Sequence, residues 1–171
     1  MLTFNHAAVL VLVALAAVTD VRGRRIPNAL TFGAAAAALV FHAATGGAAG
    51  LGISAGGWAL GLAIFFPVFA LRGMGAGDVK LLAAVGAWVG PLQVIWVALL
   101  TSIVGGVLGV AVALGHGYLR IAIRNLMLLL THWRMVGLRP MRQVTLDNAP
   151  GPRLAYAIPI SLGTVMTLWL M

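Results

Sequence analysis

The sequence predicts an all-α, polytopic integral membrane protein with about six transmembrane helices, and three observations carry that prediction. Hydrophobic residues fill 62% of the 171 positions and charged residues only 8%, where a soluble domain has about a quarter charged; mean hydropathy is +1.06. Several apolar runs reach the ~20 residues that a helix needs to cross a bilayer. The eleven lysines and arginines gather in three segments between those runs. A single membrane-embedded domain over 1–171 is the simplest organisation.

The first span, about 5–21, has no basic residue ahead of its apolar run Ala7 to Val18 and ends in Asp20-Val-Arg-Gly-Arg-Arg. A cleaved leader would carry its positive charge before the apolar core, so this is a retained span. The second, 28–45, opens after Pro27, where a missing N–H costs little. The third is 51–71 and the fourth is 78–90, a short span between a Gly-rich stretch and Pro91 that is tilted or half-buried. The fifth is 92–115 and the sixth 154–171; Pro67 and Pro159 are expected to kink spans three and six. Between spans five and six lies a basic segment at about 116–153. Within it, residues 118–135 set Arg120, Arg124, Thr131 and Arg134 along one helical stripe. Two readings stand for it: a helix in the membrane interface touching anionic lipid headgroups, or a continuation of span five.

Charge fixes the orientation. Arg22, Arg24 and Arg25 follow span one, Arg72 and Lys80 flank the loop between spans three and four, and Arg120, Arg124, Arg134, Arg139, Arg142 and Arg153 lie between spans five and six. With six crossings all eleven fall on one side, which the positive-inside rule makes cytoplasmic, and both termini fall on the other. One crossing more or fewer would scatter them. The net charge of +8 is therefore a statement about topology, and no nucleic-acid partner is implied.

Several chemistries are excluded. The chain has no cysteine, hence no disulfide and no thiolate metal site. It has no glutamate, hence no His-Glu-x-x-His zinc peptidase motif. His6, His42, His116 and His132 have no ligand spacing. Gly52-Ile-Ser54-Ala-Gly56 matches a nucleophile-elbow pattern, but it opens span three on the face opposite every acidic residue. The Gly57–Gly61 and Gly105–Gly109 pairs have the spacing of close helix packing.

Only three acidic residues remain: Asp20, Asp78 and Asp147. Asp147, in Asp-Asn-Ala-Pro-Gly, reads as a solvated turn. Asp20 and Asp78 sit where apolar runs meet basic segments, and ionisable groups at membrane depth are functional candidates by default. The topology brings them, 58 positions apart in sequence, to the same depth on the same face. Two adjacent carboxylates sharing a proton are a water-activating pair. Each also has a structural alternative. Asp78 is able to cap a helix N-terminus, and Asp20 to pair with the arginines that follow it. A transporter or channel component binding cations or protons through the two carboxylates is the alternative from another class, although such sites favour the midplane.

The motifs around the pair carry a family resemblance. Asp20-Val-Arg-Gly-Arg-Arg-Ile26-Pro27-Asn28 resembles the first motif of the type IV prepilin peptidases, and Gly75-Ala-Gly77-Asp78-Val79-Lys80 is similar to their Gly-x-Gly-Asp-x-Lys signature. Tyr156-Ala-Ile158-Pro159 resembles a less specific C-terminal element. The resemblance implies a membrane aspartic endopeptidase of the inner membrane that removes the basic leader of prepilins at the cytoplasmic face, without metal or cofactor. It implies Asp20 and Asp78 as the catalytic pair, with Gly75, Gly77, Lys80, Ile26, Pro27 and Asn28 positioning pair or substrate. Longer family members carry a cysteine-bearing insert and a methyltransferase activity. This chain has neither insert nor cysteine and so resembles the short, peptidase-only branch associated with tight-adherence (Flp-type) pili. Presenilin-type proteases share Gly-x-Gly-Asp, but the Ile-Pro-Asn after Asp20 favours the prepilin branch.

Overall fold

The computed structural model describes residues 4–137 and 154–170. Asp147, Arg139, Arg142 and Arg153 lie outside these residues. The described chain folds into α1 (Phe4–Gly23), α2 (Asn28–Ala70), α3 (Ala76–Val89), α4 (Pro91–Gly115), α5 (Leu119–Val136) and α6 (Ala157–Leu170). No strand occurs among the described residues, and the protein is all-α.

The expected spans two and three are one helical element, α2, broken at a point. Gly47 (φ 60°, ψ −146°) is the single non-helical residue inside it. Phe32 and Leu62 line one small cavity, whereas a straight helix would hold residues thirty apart about 45 Å from each other. The element therefore doubles back at Gly47 into two antiparallel limbs. Gly50 seats against the His42 carbonyl, with no room for a Cβ.

Helix α3 is the core. Every residue from Leu81 to Trp88 is buried, as befits a helix that is apolar all round. Both limbs of α2 hold it. From the first, the His42 ring nitrogen Nε2 meets the Trp88 carbonyl at 3.2 Å; from the second, Gly57 touches Gly86 backbone to backbone, and a Cβ on Gly61 would lie 2.7 Å from the Leu82 carbonyl. The Gly57–Gly61 spacing is close packing, as expected. Ser54 of the nucleophile-like pattern is fully buried, its hydroxyl donating to the Ala87 carbonyl at 2.8 Å, so it is a packing residue. Gly90 (φ 89°) turns the chain between α3 and α4, with Pro91 opening α4.

Helices α1, α2 and α4 are long and apolar enough to cross a membrane. At 14 residues each, α3 and α6 rise only ~21 Å, less than the ~30 Å hydrocarbon core. Side chains such as Val11, Val40, Leu99, Ile103 and Val107 stand exposed on the outer helices, which suits lipid-facing surface. One expectation needs correction, and one of the two readings of the basic segment falls. Pro159 falls in the first turn of α6, where its missing N–H is not needed, and so makes no mid-span kink. Span five does not run on through the basic segment. Gly117 (φ 64°) ends it, with Tyr118 N–H bonded to the Ala113 carbonyl and Gly117 N–H to that of Leu114, a Schellman closure.

Candidate active site

Asp20 closes α1 and Asp78 lies in the first turn of α3, and the fold brings the two to one end of the bundle. Helix α1 ends there, the second limb of α2 ends there, α3 begins there, and α4 reaches it at Gly105 and Gly109. Both carboxylates line two neighbouring cavities.

The smaller cavity, about 570 Å³, gathers Asp20 and Asp78 with Gly75, Gly77, Lys80, Ile26, Pro27 and Asn28. Every residue singled out from the two sequence motifs thus meets in one place. The motifs also grip each other. Lys80 Nζ donates to Asn28 Oδ1 at 3.0 Å while its ammonium stands 5.3 Å over the Phe32 ring, a cation–π arrangement. Ile26 packs on Gly77, where a Cβ would lie 3.4 Å from its own. Pro27 caps α2 in extended conformation, and its carbonyl accepts the Leu30 and Thr31 amides. Gly75 caps α3, and a Cβ there would crowd Asp78 Oδ2 at 3.2 Å, so bare backbone lies against the second carboxylate.

Asp20 is only 8% exposed. Its Oδ2 accepts the Ala157 amide N–H at 3.2 Å, which ties it to the first turn of α6. An anion is favoured at a helix N-terminus, so both aspartates stand at such an end: Asp78 in its own helix, Asp20 across from α6. Ser161 strengthens the same crossing by donating toward the Val13 and Ala157 carbonyls. Arg24, in the left-handed region at φ 49° with its amide bonded to the Asp20 carbonyl at 2.8 Å, lines both cavities. No ion pair between Asp20 and Arg22, Arg24 or Arg25 is seen.

The larger cavity, about 640 Å³, opens on the other side of the aspartates between Val21, Met74, Gly105, Gly109, Leu154, Tyr156 and Ile158. Its polar face is the aspartate pair with Arg24 and Tyr156; the rest is apolar or glycine. The Gly105–Gly109 pair, expected to serve packing alone, divides its work. Gly105 seats the Tyr156 ring, whose hydroxyl would lie 2.8 Å from a Cβ there, whereas Gly109 has nothing within 4 Å and forms open wall. Tyr156 also stands edge-on to Phe65, centroids 6.1 Å apart. The part played by Gly109 and by the Ala157 amide has no local sequence signal, because both depend on which helices lie opposite.

A buried Asp20 and a half-buried Asp78, sharing a cavity whose remaining walls are mostly apolar, are equipped to activate water for hydrolysis. No curated protein and no solved structure matches the chain. The family model for type IV leader peptidases matches residues 7–110, more than half of the chain and the part that holds both aspartates with their flanking motifs, and the chain therefore belongs to the type IV leader peptidase family.

Proposed function

We propose that this peptidase is an aspartic endopeptidase of the inner membrane that removes the basic leader of Flp-type prepilins at the cytoplasmic face. The observation that carries the proposal is the meeting of Asp20 and Asp78, from separate motifs, at the junction of two cavities. One carboxylate takes a proton from water as the oxygen attacks the scissile carbonyl, and the other, protonated, donates to the carbonyl oxygen. Collapse of the resulting diol breaks the C–N bond: the departing amine takes the proton that the first carboxylate had accepted, and a diol hydroxyl gives its proton to the second carboxylate, which restores the pair. The larger cavity, mostly apolar, receives the substrate's apolar segment. Ile26 on Gly77 and Asn28 with Lys80 act as positioning contacts that hold the two motifs in register. The reaction draws on two carboxylates and water and assigns no step to a metal or cofactor.

The orientation follows from charge. Arg24, Arg25 and Lys80 line the cavity beside the aspartates. Arg22 in the last turn of α1 and Arg72 between α2 and α3 belong to the same two junctions, and Arg120, Arg124 and Arg134 follow the end of α4 that lies beyond the aspartates. Six crossings, counting the two limbs of α2 separately, put the aspartate end in the cytoplasm and both chain ends on the periplasmic side.

The test is co-expression with an Flp-type prepilin, following leader removal on a gel. Asp20→Asn and Asp78→Asn each lower cleavage by about 10²–10⁴-fold, the range for loss of an acid–base group, while Asp147→Asn cleaves normally at equal membrane levels. Cleavage that survives in both of the first two variants would sink the aspartic mechanism.

A further inference from the structure

Helix α5 stands apart from the rest of the molecule. Among the described helices it packs on α4 alone, and the Schellman closure at Gly117 sets it off as a separate element. Its one-sided character is built into the sequence. Arg120, Arg124, Thr131 and Arg134 recur at i, i+4, i+11 and i+14 and are exposed. Beside that stripe Ile123, Leu126 and Leu130 form an apolar row at i, i+3 and i+7, all exposed, Leu126 at 55%. Helix α5 has three arginines and no acidic residue. The carboxylates of the described residues, Asp20 and Asp78, are committed to the cavities described above.

We propose that α5 lies in the plane of the membrane at the aspartate end of the protein, with Ile123, Leu126 and Leu130 in the acyl boundary and Arg120, Arg124 and Arg134 on anionic phospholipid headgroups. Charge complementarity selects this occupant. A helix with a basic stripe beside an apolar row inserts at the level of the headgroups, and each cation near an anionic surface adds to the binding. Long arginine stems reach from the boundary to the phosphates. The position in the fold agrees. Helix α4 leaves Gly90, passes the aspartates at Gly105 and Gly109, and ends at Gly115 on the side where the other described cations lie.

The cysteine-free chain makes the test direct, and its readout does not involve cleavage. Leu126→Cys and Thr131→Cys, each carrying an environment-sensitive fluorophore, are placed in the full chain and reconstituted in phosphatidylcholine vesicles with or without phosphatidylglycerol. With phosphatidylglycerol the Leu126→Cys label shifts to the blue and is quenched by lipids with a quencher on the acyl chain, and the Thr131→Cys label is quenched less. Each of Arg120→Gln, Arg124→Gln and Arg134→Gln lowers the inserted population by roughly fivefold. A Leu126→Cys label that stays water-like in these vesicles overturns the proposal. So does insertion indifferent to phosphatidylglycerol and to the arginines. A blue shift that fades on protein dilution and resists the lipid quencher assigns the face to a second copy instead, and also overturns it.

Discussion

At the residue scale, the contacts that join the two motifs are individually modest. The Lys80–Asn28 hydrogen bond is exposed, and a charged donor to a neutral amide in that setting is worth about 1 kcal/mol net. Asn28→Ala and Lys80→Met are each expected to lower stability by about that amount. In a double-mutant cycle they should show coupling of about 0.5–1.5 kcal/mol, read from chemical unfolding in detergent; additive effects would mean that the bond contributes nothing. Gly109 offers a sharper test of the larger cavity. With nothing within 4 Å of a Cβ, Gly109→Leu is expected to leave the unfolding midpoint near wild type. On the proposed reading it lowers prepilin cleavage by filling the wall beside the aspartates, and unchanged cleavage would show that substrate does not use that wall.

At the element scale, α3 is defined by backbone contact. Gly86 and Gly57 leave no space for a side chain between them, so Gly86→Ala or Gly57→Ala must push α2 and α3 apart. Overpacking of this kind costs about 1–3 kcal/mol, and each variant should melt earlier than wild type. Gly106 is the control: it lies in the same kind of apolar helix with nothing near it, and Gly106→Ala should leave stability unchanged or raise it by up to ~1 kcal/mol. Gly47 belongs to a different class. Its φ of 60° with ψ of −146° is backbone that other residues adopt only at a cost of about 1–3 kcal/mol. Gly47→Ala should therefore weaken the reversal of α2, which reduced disulfide formation between Thr31→Cys and Leu62→Cys would reveal.

At the scale of the whole molecule, the bundle is polarised. Arg24, Arg25 and Lys80 line the cavities beside the aspartates, while an aromatic cluster of Phe4, Phe41 and Trp88 packs together away from them. The proposed orientation predicts that Arg22→Cys and Arg72→Cys react with a membrane-impermeant maleimide only after the inner membrane is opened. Gly46→Cys, beside the α2 reversal, should react from the periplasmic side; the opposite pattern would invert the topology.

Composition alone settled that this chain is an all-α membrane protein, because a chain 62% hydrophobic and 8% charged has few other ways to satisfy its backbone than helices in lipid. The two motifs, with their unusual aspartates, were equally legible, since ionisable residues in so apolar a chain are conspicuous. Gly117 and Gly47, where the backbone turns into regions that favour glycine, were open to local reasoning only once the helices on either side were known. Tertiary structure decided the rest. The antiparallel folding of α2, the burial of α3, the Ala157 amide on Asp20 and the open wall at Gly109 all depend on which surfaces meet. In a sequence built from glycine, alanine, valine and leucine, one helical face looks much like another. Periodicity finds the helices, but only close backbone approach, which a missing Cβ permits, selects their neighbours.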